Sequence, residues 1–197
     1  KLNVPAGAVT ADVTILKTII EATSCSGIVL HGGATLGCRE KTQGIGKLAI
    51  AFSGTGNYYG IICFNGSRVV ITDHIGVYGF QLGVTSAQSS SIRCEAAKLN
   101  VSGCSSSGLY SSAGSSFECS TTLSAGNGTG FFTSGGVLND ASSIAVGNTI
   151  GFSCSTNGTH SADGAAAYYN TTGVYAEKMG YLSFVSGSVA GNTSDYN

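Results

Sequence analysis

The sequence predicts an all-β protein built as a parallel β-solenoid with turns of about 19–25 residues. Three observations predict this fold class. A step from glycine to an apolar residue recurs at a nearly constant spacing, a cluster of small turn-forming residues precedes most of these steps, and the short pieces between them alternate apolar with small or polar residues. No linker interrupts the pattern, so we expect one domain over residues 1–197.

The glycine steps define the repeat. Four of them follow one another almost evenly: Gly108-Leu109, Gly130-Phe131, Gly151-Phe152 and Gly173-Val174. Two earlier steps, Gly60-Ile61 and Gly79-Phe80, have a slightly shorter spacing. The longer interval from Gly79 to Gly108 then predicts an insertion in that turn.

The pieces between the steps have the composition of strands and corners. "SSIRCEA", "SSFECSTTL", "GGVLNDASSI" and "YLSFVSGSV" alternate roughly with period two, as strands do. "SAGNGTG", "AVGNTIG" and "AYYNTTG" are rich in Gly and Asn, which adopt the positive φ of tight corners. Each turn is expected to contain two or three short strands. The Asn residues of Asn-x-Ser/Thr triplets are expected to be turn residues: Asn65, Asn100, Asn127, Asn157, Asn170 and Asn192.

The segment before Gly60 is less regular. Val13, Leu16, Ile19 and Ile20 would fit one face of an amphipathic helix, but Thr and Ile favour strands. We therefore expect residues 1–26 to hold the first strands and residues 27–197 to form the stacked turns.

Composition excludes several classes of protein. Only 10% of the 197 residues are charged and the net charge is −1, so no basic surface for nucleic acid is expected. No apolar run approaches the ~20 residues of a membrane helix. The first residues lack the apolar region and small-residue cleavage site of a signal peptide. We expect neither a nucleic-acid partner nor membrane insertion.

The seven cysteines form no CxxC pair, and no His lies near a pair of them at zinc spacing. They are expected to be reduced, buried core residues, which indicates folding in a reducing cytosol. No metal and no cofactor is expected.

The run from "SGIVLHGGATLG" to "NVSGC" resembles the β-helix segment of bacteriophage and prophage tail fibre or tailspike proteins, and the end "SVAGNTSDYN" is similar to their Ser/Gly/Asn-rich turns. The resemblance covers roughly residues 27–197. It lies in the repeat pattern and in the residues of the corners, not in a catalytic motif. It implies a right-handed, single-stranded parallel β-helix, usually a homotrimer, made and folded in the cytoplasm of the bacterial host. It also implies a place on the virion tail, with other tail proteins as partners.

No catalytic residue is predicted outright. A polysaccharide-cleaving enzyme needs two carboxyl groups about 5–9.5 Å apart, and Glu95 with Glu118 is the best pair for that role. Sliding the alignment by two positions instead places Arg93 beside Glu118 as an ion pair. The three histidines are far from one another in the sequence and are expected to be structural or solvated: His31, His74 and His160.

The tyrosine pairs Tyr58-Tyr59 and Tyr168-Tyr169 are the predicted ligand-binding residues. Neighbours in a strand point to opposite faces, so one ring of each pair is expected to face outward. Exposed tyrosine rings bind sugar faces, although the same rings could instead cap the core or fill a trimer seam.

The resemblance therefore implies a tail fibre or tailspike β-helix that binds or presents the recognition site for a bacterial surface polysaccharide during host attachment. Two alternatives stay open: a depolymerase of capsule or lipopolysaccharide, and a structural spacer without a ligand. An ice-binding solenoid would need a regular Thr-x-Thr in each turn, which the sequence lacks.

Overall fold

The fold was analysed in a computed structural model of the chain. The structure describes residues 2–4, 11–13, 18–38, 47–52, 57–72, 74–94 and 99–196. Within these ranges the regular structure is entirely β-strand, and no helix there could cross a membrane. The all-β prediction is confirmed.

Short strands follow one another along the chain, separated by corners of a few residues. The first eight are β1 (Leu2–Val4), β2 (Ala11–Val13), β3 (Thr18–Ala22), β4 (Ile28–Leu30), β5 (Thr35–Cys38), β6 (Lys47–Phe52), β7 (Tyr59–Cys63) and β8 (Arg68–Ile71). The next nine are β9 (His74–Tyr78), β10 (Leu82–Ser86), β11 (Ser91–Cys94), β12 (Leu99–Ser102), β13 (Ser107–Ser112), β14 (Ser116–Ser120), β15 (Leu123–Ala125), β16 (Thr129–Ser134) and β17 (Val137–Ala141). The last eight are β18 (Ile144–Val146), β19 (Ile150–Ser155), β20 (Thr159–Ser161), β21 (Ala166–Tyr168), β22 (Thr172–Ala176), β23 (Tyr181–Ser183), β24 (Ser188–Ala190) and β25 (Ser194–Tyr196).

Each strand pairs in parallel with the strands three before and three after it. Sheet A contains every third strand from β1 to β25, sheet B runs from β2 to β23, and sheet C from β3 to β24. One turn of the chain therefore contributes one strand to each of three sheets, and adjacent turns lie about 4.8 Å apart. This is the predicted β-solenoid, with three strands per turn. The right hand of the helix stays a prediction.

The register corrects the predicted repeat. The Cα partner of Ile61 is Val84, and the partner of Val84 is Leu109. The glycine step after Gly60-Ile61 is therefore Gly83-Val84 and not Gly79-Phe80, and the turn that follows it, from Val84 to Leu109, is only slightly longer than its neighbours.

The length of each turn can be read from equivalent Cα partners in sheet A. From β7 onward the turns begin at Tyr59, Leu82, Ser107, Thr129, Ile150, Thr172 and Ser194. These turns fall within the predicted range of lengths, although none is as short as its lower limit. The turn from Ile28 to Ile61 is longer than the upper limit, and it includes two segments, 39–46 and 53–56, that lie outside the described residues.

Glycines occupy two different columns, which explains the misassigned step. In sheet A a glycine recurs where adjacent backbones touch: a Cβ on Gly130 would lie 2.6 Å from the carbonyl oxygen of Gly151. At the corner between sheets C and A a second series has positive φ, and it includes Gly79 (77°) and Gly126 (62°). In most turns the two series are four positions apart, and Gly79 of the corner series is followed by an apolar residue, as the glycines of sheet A are.

The inward side chains stack in columns. Sheet A contributes Phe131 and Phe152, whose rings lie 4.8 Å apart and within 8° of parallel. Small residues of sheet C face them, including the fully buried Ala145 and Ala167. A large column is thus packed opposite a small column in the narrow interior.

Six described cysteines are free thiols, and all except the half-buried Cys25 are buried. These are Cys25, Cys63, Cys94, Cys104, Cys119 and Cys154. The prediction of reduced core cysteines is confirmed for the five buried ones. The side chain of Cys38 lies outside the described part of the chain.

The segment 1–26 contributes the first strand of each sheet. Val13 ends β2, and Ile19 and Ile20 lie in β3, so strands form there in place of the alternative helix. Leu16 lies outside the described residues.

Candidate functional site: a polar groove at one edge

A ladder of asparagines, three of them buried and the last half-buried, builds the corner between sheets C and A. The backbone N–H of Asn127 donates to Oδ1 of Asn148 at 2.8 Å, that of Asn148 to Asn170 at 2.9 Å, and that of Asn170 to Asn192 at 2.7 Å. Each amide also donates from Nδ2 to a carbonyl of the preceding turn, as Asn148 does to Ser124 at 3.1 Å. The ladder satisfies the polar groups that a sharp buried corner would otherwise leave unpaired.

The expectation that the asparagines are turn residues needs refinement. Asn65 and Asn157 have φ of 55° and 58°, as turn residues do. Asn127 and Asn170 are at a corner but act through their buried side chains. For Asn100 the prediction was wrong, because this residue lies within strand β12.

Outside this ladder lies an open groove of about 570 Å³, which we call the edge groove. It crosses five turns and is lined by the residues of the corner: Gly103, Cys104, Ser105, Gly126, Asn127, Gly128, Gly147, Asn148, Thr149, Tyr169, Asn170, Thr171, Gly191 and Thr193. Among the described residues, no charged side chain lines it.

Tyr169 is the exception in the floor of the edge groove. Its position is occupied by glycine in the neighbouring turns, among them Gly147 and Gly191, which have φ of 63° and 69°. Tyr169 adopts the same left-handed conformation with φ of 55°, which is strained for a residue with a side chain. The ring is 74% exposed and lies against Gly191, where an added Cβ would be 2.8 Å from it.

Beside Tyr169 runs a column of exposed threonines. Thr149, Thr171 and Thr193 occupy equivalent places, since their backbone N–H groups donate to Asn127, Asn148 and Asn170 respectively. The column presents one hydroxyl about every 4.8 Å along the edge groove. Each hydroxyl both donates and accepts hydrogen bonds, which suits a ligand rich in hydroxyl groups.

The other predicted tyrosines are distributed differently. Tyr168 is half-buried on the outer face of sheet C, next to the inward Ala167. The backbone at Tyr169 is not extended, so both rings of this pair point outward. Tyr58 packs against the core, and Tyr59 is half-buried at the start of β7. That pair lies on the same edge of the solenoid, but five turns (about 24 Å) from Tyr169.

The sequence analysis missed an aromatic stripe on the outer face of sheet A. Tyr110 and Phe132 stack there with ring centroids 5.0 Å apart and planes within 14°. Tyr175 lies two turns further and donates to the Glu177 carboxylate at 2.9 Å. This hydrogen bond, helped by Lys178, lowers the pKa of Glu177. The signal was available: each ring follows the apolar residue of a glycine step.

The two carboxylate candidates do not form a described pair. Glu118 is exposed, and its carboxylate lies 3.4 Å from Nε of Arg93, its partner in the adjacent turn. On its other side stands Asn139. The column therefore supplies an ion pair and no second carboxylate beside Glu118 among the described residues. Glu95 lies outside them.

A buried pair that the sequence analysis also missed joins Asp140 and His160. Both side chains are fully buried, with Oδ1 and Nε2 3.2 Å apart. The expected structural role of His160 is confirmed, whereas His31 stacks on Phe64 and His74 is exposed at the start of β9. A sequence separation of 20, close to one turn, was the signal that could have indicated the contact. Because the pair is sealed inside the solenoid, no ligand in the edge groove contacts it.

Comparison with protein-family models, curated proteins and solved structures finds no match to this chain. The site must therefore be interpreted from its own chemistry. No group of three or more His, Cys, Asp or Glu residues in the described part of the chain could hold a metal ion. The edge groove combines neutral polar walls, a row of hydroxyls and one exposed ring, so it offers hydrogen bonds and an apolar surface side by side.

Proposed function

We propose that the chain is the β-helix of a bacteriophage or prophage tail fibre or tailspike and binds a bacterial surface polysaccharide in the edge groove during host attachment. The observation that carries the proposal is Tyr169. A large exposed ring is kept in a left-handed conformation where the equivalent positions of other turns are glycine. Residues with such local backbone strain are frequent at functional sites.

The chemistry of the edge groove supports a carbohydrate ligand. An aromatic ring offers a surface for the apolar face of a sugar, and the hydroxyls of Thr149, Thr171 and Thr193 offer hydrogen bonds. The groove is open and crosses several turns, so a chain can lie along it. The aromatic stripe of Tyr110 and Phe132 offers a second apolar surface about 13 Å away along the strands.

In this proposal the protein is a homotrimer on the virion tail, assembled in the host cytoplasm together with other tail proteins. Exposed Leu123 and Ile144 in adjacent turns of sheet C support self-association, because apolar side chains on an outer sheet face are suited to burial against another copy. Three copies would strengthen weak sugar contacts through avidity. Sedimentation of the purified chain tests this part, and the mass of a single chain would contradict it.

The decisive experiment compares retention of the protein on surface polysaccharides from candidate bacterial hosts. The variant Tyr169→Gly restores the residue that other turns have at this position, so the fold is expected to be unchanged. We expect it to bind at least about tenfold more weakly, corresponding to about 1.4 kcal/mol of lost contact. The matched control is Tyr181→Ser, which removes a 65% exposed ring from sheet B, away from the groove.

Each outcome has a distinct meaning. Equal retention of Tyr169→Gly and the unmodified protein would contradict a role for the edge groove and direct attention to Tyr110 and Phe132. Shortened polysaccharide fragments would establish the depolymerase alternative, with Glu118→Gln as the next variant. No retention across a broad panel would leave the structural spacer.

A further inference from the structure

The hydrogen-bond geometry of the buried Asp140–His160 pair shows how many protons the pair holds, and this is independent of the edge groove. Nδ1 of His160 lies 3.3 Å from the carbonyl oxygen of Ser153, which can only accept a hydrogen bond. Nδ1 therefore carries a hydrogen. Nε2 lies 3.2 Å from Oδ1 of Asp140. Both of these atoms have lone pairs, so a hydrogen bond between them requires one further proton.

The pair thus holds one proton more than a separate carboxylate and a neutral imidazole. Whether this proton is closer to oxygen or to nitrogen, the pair as a whole is uncharged. Neutrality is what full burial demands, because an isolated charge in the core would be very costly. Burial raises the pKa of Asp140, in agreement with a retained proton. Its Oδ2 has no hydrogen-bond partner among the described residues, which suits the carbonyl oxygen of a neutral acid better than a carboxylate.

The surroundings supply no substitute for this proton. The described titratable side chains that face inward around Asp140 are thiols: its Cα partner Cys119 on β14, Cys94 one turn further on β11, and Cys154 on β19. Asp163, in the turn after β20, adds negative charge nearby and also raises the pKa of Asp140. These groups are neutral or negative, so none of them replaces the proton in stabilising the carboxyl group.

We propose that the Asp140–His160 pair links folding to protonation. At neutral or alkaline pH the chain takes up one proton as it folds, and the buried pair holds that proton. In the unfolded chain Asp and His titrate near pH 3.9 and 6.5, so above about pH 6.5 that chain lacks the proton that the folded pair holds. Stability is then lost as pH rises, at up to tenfold in the unfolding equilibrium constant per pH unit. Between about pH 4 and 6.5 both states hold one proton, and the contribution of the pair is flat. Below pH 4 the unfolded chain gains a second proton, and stability falls again.

The variant Asp140→Asn tests this proton linkage because it should reverse the sign of the pH dependence of stability. The Asn amide can donate to Nε2 without an added proton, so the folded state then holds a neutral histidine. Above pH 6.5 the unfolding constant of the unmodified protein should increase by up to tenfold per pH unit because of the pair. The unfolding constant of the variant should lack this increase. Below pH 6.5 its unfolding constant should increase as the pH falls, because the unfolded histidine takes up a proton, whereas a charge at the fully buried position 160 would have no carboxylate partner in this variant. Chemical unfolding between pH 4.5 and 7.5, where few thiols of the unfolded chain are ionised, measures both slopes.

A second variant guards against simple misfolding. Asp140→Ala with His160→Leu installs residues found in the same inward columns, where Leu138 and Leu182 flank position 160 and Ala162 follows position 140. This double variant should fold and show neither slope of the pair. A slope above pH 6.5 that is the same in the unmodified protein and in both variants would overturn the proposal. So would an Asp140→Asn variant whose stability does not change between pH 4.5 and 6.5.

Discussion

At the scale of single residues, the presence or absence of one Cβ decides how this backbone can stack. Two glycine columns serve different purposes. Gly130 allows two backbones to approach, whereas Gly126 supplies a left-handed corner with nothing within 4 Å of an added Cβ. Tyr169 shows that the corner column accepts a side chain at the cost of strain. The sheet A column has no such freedom, because a Cβ there meets a carbonyl of the next turn.

Gly130→Ala should therefore destabilise the protein more than Gly126→Ala. The first change places a methyl group 2.6 Å from the Gly151 carbonyl oxygen, so the backbone must move, and we expect a loss of about 3 kcal/mol. The second costs about 1–2 kcal/mol through its positive φ. Urea unfolding of both variants gives the comparison, and equal losses would contradict the assignment of the two columns.

At the scale of elements, the asparagine ladder couples each turn to its neighbours. The side chain of Asn148 accepts from the backbone of Asn127 and donates to a carbonyl in β15, while Nδ2 also lies 3.0 Å from Oδ1 of Asn170. One amide therefore links three consecutive turns. Stacked turns interact only with their neighbours, so such links decide whether adjacent turns unfold together.

Asn148→Ala should test that coupling. The change leaves the buried N–H of Asn127 and the Ser124 carbonyl without their amide partner, at about 1–3 kcal/mol for each group. The matched control is Asn139→Ala on the exposed face of sheet B, where we expect a change within about 0.5 kcal/mol. Hydrogen exchange should show faster opening in the turns on both sides of position 148. Opening confined to one turn would contradict the coupling.

The solenoid could be predicted from the sequence because its turns repeat, and each repeat confirms the next. Details that break the repeat were harder to predict. Gly79 was misassigned because this corner glycine is followed by an apolar residue, as the glycines of sheet A are. Tyr169 was named for strand alternation, although it sits at a corner where alternation does not apply. Asp140 and His160 meet diagonally between turns, a relation that alignment by glycine steps does not reveal.

At the scale of the whole molecule, the interior is rich in protonated thiols. Burial raises the pKa of Cys63 to about 11, that of Cys104 to about 12 and that of Cys154 to about 11. Thiols of the unfolded chain ionise near pH 8.5. The folded state therefore holds more protons between about pH 8.5 and 11, and stability is lost as pH rises through that range.

Chemical unfolding under reducing conditions from pH 8 to 10 should show this loss. Cys63→Ser is a suitable variant, because Ser86 and Ser111 occupy the same inward column in the following turns. We expect it to reduce the dependence by up to tenfold in the unfolding constant per pH unit, the contribution of one proton. An unchanged slope would show that Cys63 does not hold its proton in the folded state.

The regular advance of the turns makes the molecule a ruler. The turns that line the edge groove follow one another about every 4.8 Å, and the five of them span about 19 Å. In the proposed function, a polysaccharide lying along the groove would meet a further turn about every 4.8 Å. Duplicating one complete turn would lengthen the groove by about 4.8 Å and leave the other turns unchanged. In the proposed function, a change in the number of turns would therefore change the preferred polysaccharide length in discrete increments, without redesign of any single contact.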